Sequence, residues 1–214
     1  CNNMLQYGHV YSWSREHGRK SLSLRFCHKY PYFKISHRFG YNFLTYILVK
    51  AAANLKLIPT VYYNDGNADF EGNEQVMLHH NNVIVSGWCF SCCELFEKYK
   101  QEIIDMFTFD ETIKQKIAHY MGPKDKQDLR LGVHIRRGDY KTWHEGRYYY
   151  EDSVYIDYIK QFLQLFPEEK LSVYVCSNDP NLNKEAYNQA LPQAQLYFPQ
   201  GGQEDDLCLL SECD

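Results

Sequence analysis

An α/β architecture built on parallel sheets is what the apolar pattern of this chain points to. After residue 128 strand-like and helix-like segments alternate: Leu129–Ile135, a helical period over Asp152–Phe166, Leu171–Cys176, a short helix at Leu182–Ala190, Gln195–Phe198, and a last helix at Gln203–Cys213. Repetition of that kind places crossover helices on the faces of a parallel sheet. The chain has 214 residues, 44% of them apolar and 23% charged, enough for one large or two small domains with a substantial core. A proline and four charges at Gly122–Asp128 mark the natural divider, which gives domains at 1–127 and 128–214.

The first half carries weaker signals. Asn2–Glu16 fits a helix stopped at Gly18, with Asn2 and Asn3 placed to cap it. Lys20–Phe26 alternates as a strand, with Leu22, Leu24 and Phe26 on one face. Cys27–Gly40 is aromatic, basic and proline-interrupted, hence an irregular connection. Tyr41–Leu55 has the period of an amphipathic helix, and Ala51-Ala52-Ala53 implies tight packing there. Leu57–Tyr63 reads as a strand ending in the turn Asn64-Asp65-Gly66-Asn67. Gln75–Trp88 reads as two short strands around His79-His80-Asn81-Asn82, and neighbouring histidines in a turn rarely converge on one ion. Cys92–Phe107 and Asp110–Met121 read as helices, the second with Asp110 as its cap.

Composition narrows the function. The net charge of −4 argues against a nucleic-acid partner for the chain as a whole. The segment Arg15–Arg38 is nevertheless basic, with seven Lys and Arg against Glu16 alone. A solvated face is the first reading of it; attraction of an anionic substrate or a peripheral membrane contact is the second. Cys89-x-x-Cys92-Cys93 has metal-like spacing but no matching second pair, so no metal site is expected. The eight cysteines read as free thiols of a reduced, cytoplasmic protein. The apolar stretch from Phe43 to Ile58 is interrupted by Lys50 and Lys56 and does not reach the length of a membrane span. The inner face of the membrane remains the alternative location.

The segment richest in chemistry is Leu129-Arg130-Leu131-Gly132-Val133-His134-Ile135-Arg136-Arg137-Gly138-Asp139-Tyr140. Its alternation predicts a strand that breaks at Gly-Asp, delivering two arginines at the carboxyl end of the strand. Ligands of open α/β sheets bind at that edge. Guanidinium groups are permanently charged and fork toward phosphate oxygens, so a phosphorylated ligand is expected. Two simpler readings stand beside it. The arginines pair with surface acids, or Arg137-Gly138-Asp139 is an exposed adhesion tripeptide in a non-enzymatic anion-binding module.

The pattern His134-x-Arg136-Arg137-x-Asp139-Tyr140 resembles the nucleotide-sugar motif of the α-1,2-fucosyltransferases of glycosyltransferase family 11, of the bacterial type. Asn3-Met4-Leu5-Gln6-Tyr7 is similar to that family's amino-terminal signature, and Asp206-Leu207-Cys208-Leu209-Leu210-Ser211 to its late one. The resemblance implies a GT-B-like fold of two Rossmann-like domains, an acceptor-side domain at 1–127 and a nucleotide-sugar domain at 128–214. It also implies that both are incomplete: a first strand precedes this sequence and a serine- and threonine-rich loop follows it. The piece alone is therefore expected to be weakly active or inactive.

The activity implied is inverting transfer of fucose from GDP-fucose to the 2-hydroxyl of a galactoside in a glycan acceptor, or, failing that, use of another GDP-sugar. No Asp-x-Asp metal motif is present, so no cofactor is expected and Arg136 and Arg137 supply the positive charge for the leaving diphosphate. Arg136 is assigned to the β-phosphate, with His134 helping through backbone or ribose contacts. Asp139 is expected to orient an arginine rather than act as base, since a carboxylate beside two cations is a weak base. Tyr140 completes the motif. Ser177, Asn178 and Asp179 follow the Leu171 strand and suit either a base or ribose contact or an ordinary capped turn. By family likeness Asp206 and Ser211 lie near the nucleotide pocket, and Asn3 faces the cleft. Trp143, Tyr148, Tyr149 and Tyr150 suit lining an interface first and an acceptor platform second.

Overall fold

The structure, a computed structural model, describes residues 2–64 and 68–214. Cys1 and three residues of the expected turn at 64–67 lie outside the described residues. Two compact units result, Cys1–Asp110 and Glu111–Asp214.

The first unit runs α1 (Asn2–Glu16), α2 (Phe43–Asn54), β1 (Thr60–Tyr63), α3 (Phe70–His79), β2 (Ile84–Gly87), α4 (Cys93–Lys98) and α5 (Lys100–Met106). β1 and β2 pair in parallel, Thr60 opposite Ile84 through Tyr63 opposite Gly87. Trp13 of α1, Val61 and Tyr63 of β1, Met77 of α3 and Phe90 form the core beneath this ribbon.

Several local expectations change. Lys20–Phe26 is not a strand: residues 20–23 have no regular structure and residues 24–29 form turns, in which Phe26 donates to the Ser23 carbonyl and Cys27 to that of Leu24. Phe26 is buried against Phe33 and Phe107 while Leu22 stays open, so the alternation marks no sheet face. The first half of Gln75–Trp88 is helical, since α3 starts earlier, where the Asp69 carboxylate accepts from the Gly72 amide at 2.9 Å. The helix expected over Cys92–Phe107 breaks at Tyr99, whose hydroxyl reaches Glu16 at 2.9 Å. α2 forms as expected and is capped by Asn42, yet none of its residues is buried, so the three alanines do not make a tight contact.

The second unit runs α6 (Glu111–Met121), β3 (Asp128–Ile135), α7 (Asp152–Leu165), β4 (Lys170–Ser177), α8 (Lys184–Ala190), β5 (Gln195–Tyr197) and α9 (Gln203–Ser211). The sheet order is β3-β4-β5, all parallel, with Asp128 opposite Lys170 through Ile135 opposite Ser177. Leu129, Leu131, Val133 and Ile135 face a core shared with Ile156 and Ile159 of α7, Val173 and Val175 of β4, and Tyr187 of α8. Full burial of branched side chains of this kind contributes about 1.5–3 kcal/mol each. The opposite face of β3 lies under α9, so close that a β-carbon on Gly132 would stand 2.8 Å from Leu210 and 3.1 Å from the Cys213 sulfur.

The division between units falls at Asp110, ahead of the boundary expected at 127/128. The reason is α6. Lys116 on it pairs with Asp205 of α9 at 2.6 Å, and the buried Arg130 of β3 donates to the Met121 and Gly122 carbonyls at its carboxyl end. A cation there satisfies the orphan carbonyls and opposes the helix dipole. The charged Gly122–Asp128 segment is thus a connection inside one unit. The α/β class and the parallel sheets are as expected. No helix among the described residues is long and apolar enough to cross a membrane.

Candidate active site

β3 ends at Ile135, and the next residues turn off the carboxyl edge of the sheet. Burial alternates sharply here: Ile135 and Arg137 are inside, His134 and Arg136 outside. The two arginines therefore have different environments, which adjacency at a strand end imposes.

Arg137 is only 4% exposed. Its guanidinium donates to Asp152 at 2.7 Å, to Asp179 at 3.2 Å and to the Tyr150 carbonyl at 3.2 Å, and lies over the Tyr149 ring. Asp152 also accepts from the Tyr187 hydroxyl at 3.1 Å. Burial works against the Arg137 charge, and the hydrogen bonds to Asp152 and Asp179 outweigh it, so its pKa is held above the ordinary value. The Arg137 amide donates to the Asn178 side chain at 2.8 Å. Arg137 thus ties the loop after β3 to the loop after β4 and to the start of α7.

Arg136 is built differently. Its side chain is 48% exposed, paired with Asp139 at 3.0 Å and stacked 4.5 Å over the Tyr140 ring. An exposed pair three residues apart is worth only a few tenths of a kcal/mol, so an incoming phosphate competes for this guanidinium at little cost. Gly138 turns with φ +54, and a β-carbon there would lie 3.0 Å from the Asn178 amide nitrogen. Only glycine lets the chain leave the strand so abruptly.

On the outer side, His134 stands opposite Cys176 of β4. Cys176 is fully buried, with Asp206 in the first turn of α9 acting on it. Burial, with Asp206 adding to it, pushes the thiol pKa up to about 12. Burial likewise raises the Asp206 pKa. The Oδ1 atom of Asp206 is buried and has no donor among the described residues. His134 keeps accessible surface, yet the protein around it lowers its pKa, with Asp206 opposing and Arg136 adding to that effect. The imidazole is therefore neutral at pH 7.

The remaining expected residues fall into place around this edge. Ser177, Asn178 and Asp179 form the capped turn that was one of their two readings: the Ser177 hydroxyl accepts from the Asp179 amide at 3.1 Å, and Asp179 accepts from Asn181 at 2.9 Å. The Asn181 amide is the main cause of the depressed Asp179 pKa, and Arg137 adds to it. Ser211 lies at the far end of α9 and gives its hydroxyl to the Cys208 carbonyl at 2.7 Å. Asn3 belongs to the first unit, where it donates to the Tyr30 hydroxyl at 3.0 Å. It borders a cavity of about 900 Å³ with Tyr7, Arg25, Asn82 and Trp88, beside β2. No cluster of three or more His, Cys, Asp or Glu side chains that would hold a metal ion occurs among the described residues.

Two residues of the site escaped the sequence. Asp152 reads as a helix-opening acid, and its pairing with Arg137 spans 15 positions. Cys176 reads as a core residue, and only the register of β3 on β4 sets it between His134 and Asp206. Together the edge offers an open guanidinium and a neutral imidazole, a set suited to a phosphate anion and the group attached to it.

No curated protein sequence matches the chain. A solved structure, that of POFUT1 in complex with GDP, aligns at a TM-score of 0.45 and 12% identity over 68% of this chain and 51% of that one. The chain thus spans about half the length of that protein. The family model described as glycosyl transferase family 11 matches residues 45–214, which include the whole second unit and its arginine edge, and the chain belongs to that family.

Proposed function

We propose that this chain carries the donor site of a metal-independent, inverting fucosyltransferase of GT-B type that moves fucose from GDP-fucose to a galactoside hydroxyl in an α-1,2 linkage. Family membership supports the transferase class. The observation that carries the site is the unequal pair: Arg137 locked between Asp152 and Asp179, Arg136 open beside it.

In the reaction the acceptor oxygen bonds to the anomeric carbon as the bond from that carbon to the diphosphate oxygen breaks. The bonding pair leaves with GDP, and the acceptor proton passes to a base. Arg136 meets the β-phosphate, where negative charge grows, and a fixed cation there acts without a metal ion. Arg137 is a positioning residue that holds the loop bearing Arg136. Asp139 steers Arg136 until phosphate replaces it. His134 lies along the nucleoside, with Asp206 beside it.

The adhesion reading loses its support, because a tripeptide whose arginine is buried between two aspartates presents no arginine. Another GDP-sugar as donor is the remaining alternative. Calorimetric titration with GDP, GDP-fucose and GDP-mannose, each with and without EDTA, discriminates them. We expect GDP-fucose to bind equally with the chelator present, and Arg136→Ala to weaken GDP by about ten- to a hundredfold. Unchanged GDP affinity in that variant would sink the proposal.

A further inference from the structure

Immediately beyond Arg136 the chain folds into a knot of aromatic rings, of which only Tyr140, under Arg136, belongs to the donor motif. Tyr140 stacks on Trp143 with centroids 5.3 Å apart and planes at 18°, and Tyr148 leans on both at 6.2 and 5.1 Å. Arg147 lies over the Tyr148 ring. The rings are not buried by this packing: Trp143 is 48% exposed and Tyr148 41%.

The backbone that presents them is strained. His144 (φ 45, ψ 47) and Glu145 (φ 58, ψ 28) are successive left-handed residues without being glycine, followed by Gly146 at φ 77. A β-carbon on Gly146 would stand 3.1 Å from the Lys141 carbonyl, so the loop is closed as tightly as glycine permits. Strain of this sort persists where the surroundings hold it, typically at binding segments. Here it holds half-exposed aromatic rings beside the open cation.

We infer that Tyr140, Trp143 and Tyr148 form the acceptor subsite, a platform on which the apolar face of a pyranose stacks; this rests on the donor reading above. The contact with Arg136 argues for a sugar rather than the base. A nucleotide sugar runs base, diphosphate, sugar. The rings continue from Arg136 through Tyr140 and Trp143, so what stacks on them lies next to the cation that meets the β-phosphate, which is the end of the donor that carries the sugar. Aromatic faces bind the axial C–H face of a pyranose, and the adjacent cation keeps the reacting hydroxyl close to the departing diphosphate.

The test is saturation-transfer NMR on the chain with methyl β-galactoside, with GDP titrated separately by calorimetry. Wild type is expected to transfer saturation to the sugar ring protons. Trp143→Ala is expected to weaken the sugar roughly tenfold, whereas Trp143→Phe, which keeps a ring, retains most of the binding. Tyr148→Ala should weaken it similarly, which guards against a folding defect peculiar to one variant. Absence of transfer to wild type, or equal sugar affinity in Trp143→Ala and wild type, overturns the platform. Failure of wild type to bind GDP overturns the donor reading instead, so the two are told apart.

Discussion

Replacing Arg137 by alanine separates the roles of the two arginines. The substitution leaves Asp152 and Asp179 facing each other's charge without a cation, at side-chain exposures of 20% and 17%, and strips the Tyr150 carbonyl of its donor. Removing one member of a buried ion pair costs on the order of 3–5 kcal/mol, and the partial exposure of the two acids argues for the lower end. At about 3 kcal/mol the unfolding midpoint of a unit this size falls by roughly 12–25 °C. Arg136→Ala removes a pair exposed by 48% and 62%, for which about 0.5 kcal/mol or less is expected. Urea unfolding followed by circular dichroism measures both variants, and hydrogen exchange over Lys170–Ser177 assigns the loss to the second unit. Arg137→Lys should recover only part of the loss, since one ammonium cannot span two acids in a fork. A loss below about 1 kcal/mol in Arg137→Ala, or equal losses in the two variants, would refute the division of labour.

Two further outcomes follow from the same geometry. Gly87 sits at φ 118, and a β-carbon there would lie 2.2 Å from the Tyr63 carbonyl, a backbone atom with no room to yield; Gly87→Ala should therefore destabilise the first unit by about 2 kcal/mol or more, and a neutral melting profile would contradict it. The Asp206 pKa is raised by burial, so the folded state holds that proton more tightly than the unfolded one, and the stability it contributes at low pH is lost as pH rises through the folded value. Asp206→Asn should accordingly melt higher than wild type at pH 7, with the advantage shrinking as the pH is lowered; an advantage that grows toward acid would reverse the argument.

Much of the second unit was legible because local and tertiary demands agree there. The alternation at Leu129–Ile135 puts four apolar side chains on one face, and that face is the one the core needs. The first unit read less well where satisfaction of the backbone, not hydrophobicity, decided the outcome. Leu22, Leu24 and Phe26 alternate, yet no strand among the described residues pairs with them, and the Phe26 amide closes a turn on the Ser23 carbonyl instead. At Gln75–His79 the cap that starts α3 lies at Asp69, ahead of the segment that reads as a strand.

By itself the sequence determined that two permanent cations stand side by side at a strand end, since strand periodicity and the Gly-Asp break are local properties. It also determined that they point to opposite sides. Which side is interior was decided only by tertiary structure, because Asp152 and Asp179 come from elements joined to the motif through the sheet. Burial then converts one guanidinium into a fastener and leaves the other to meet solvent or ligand, a distinction that depends on desolvation and therefore on the assembled fold.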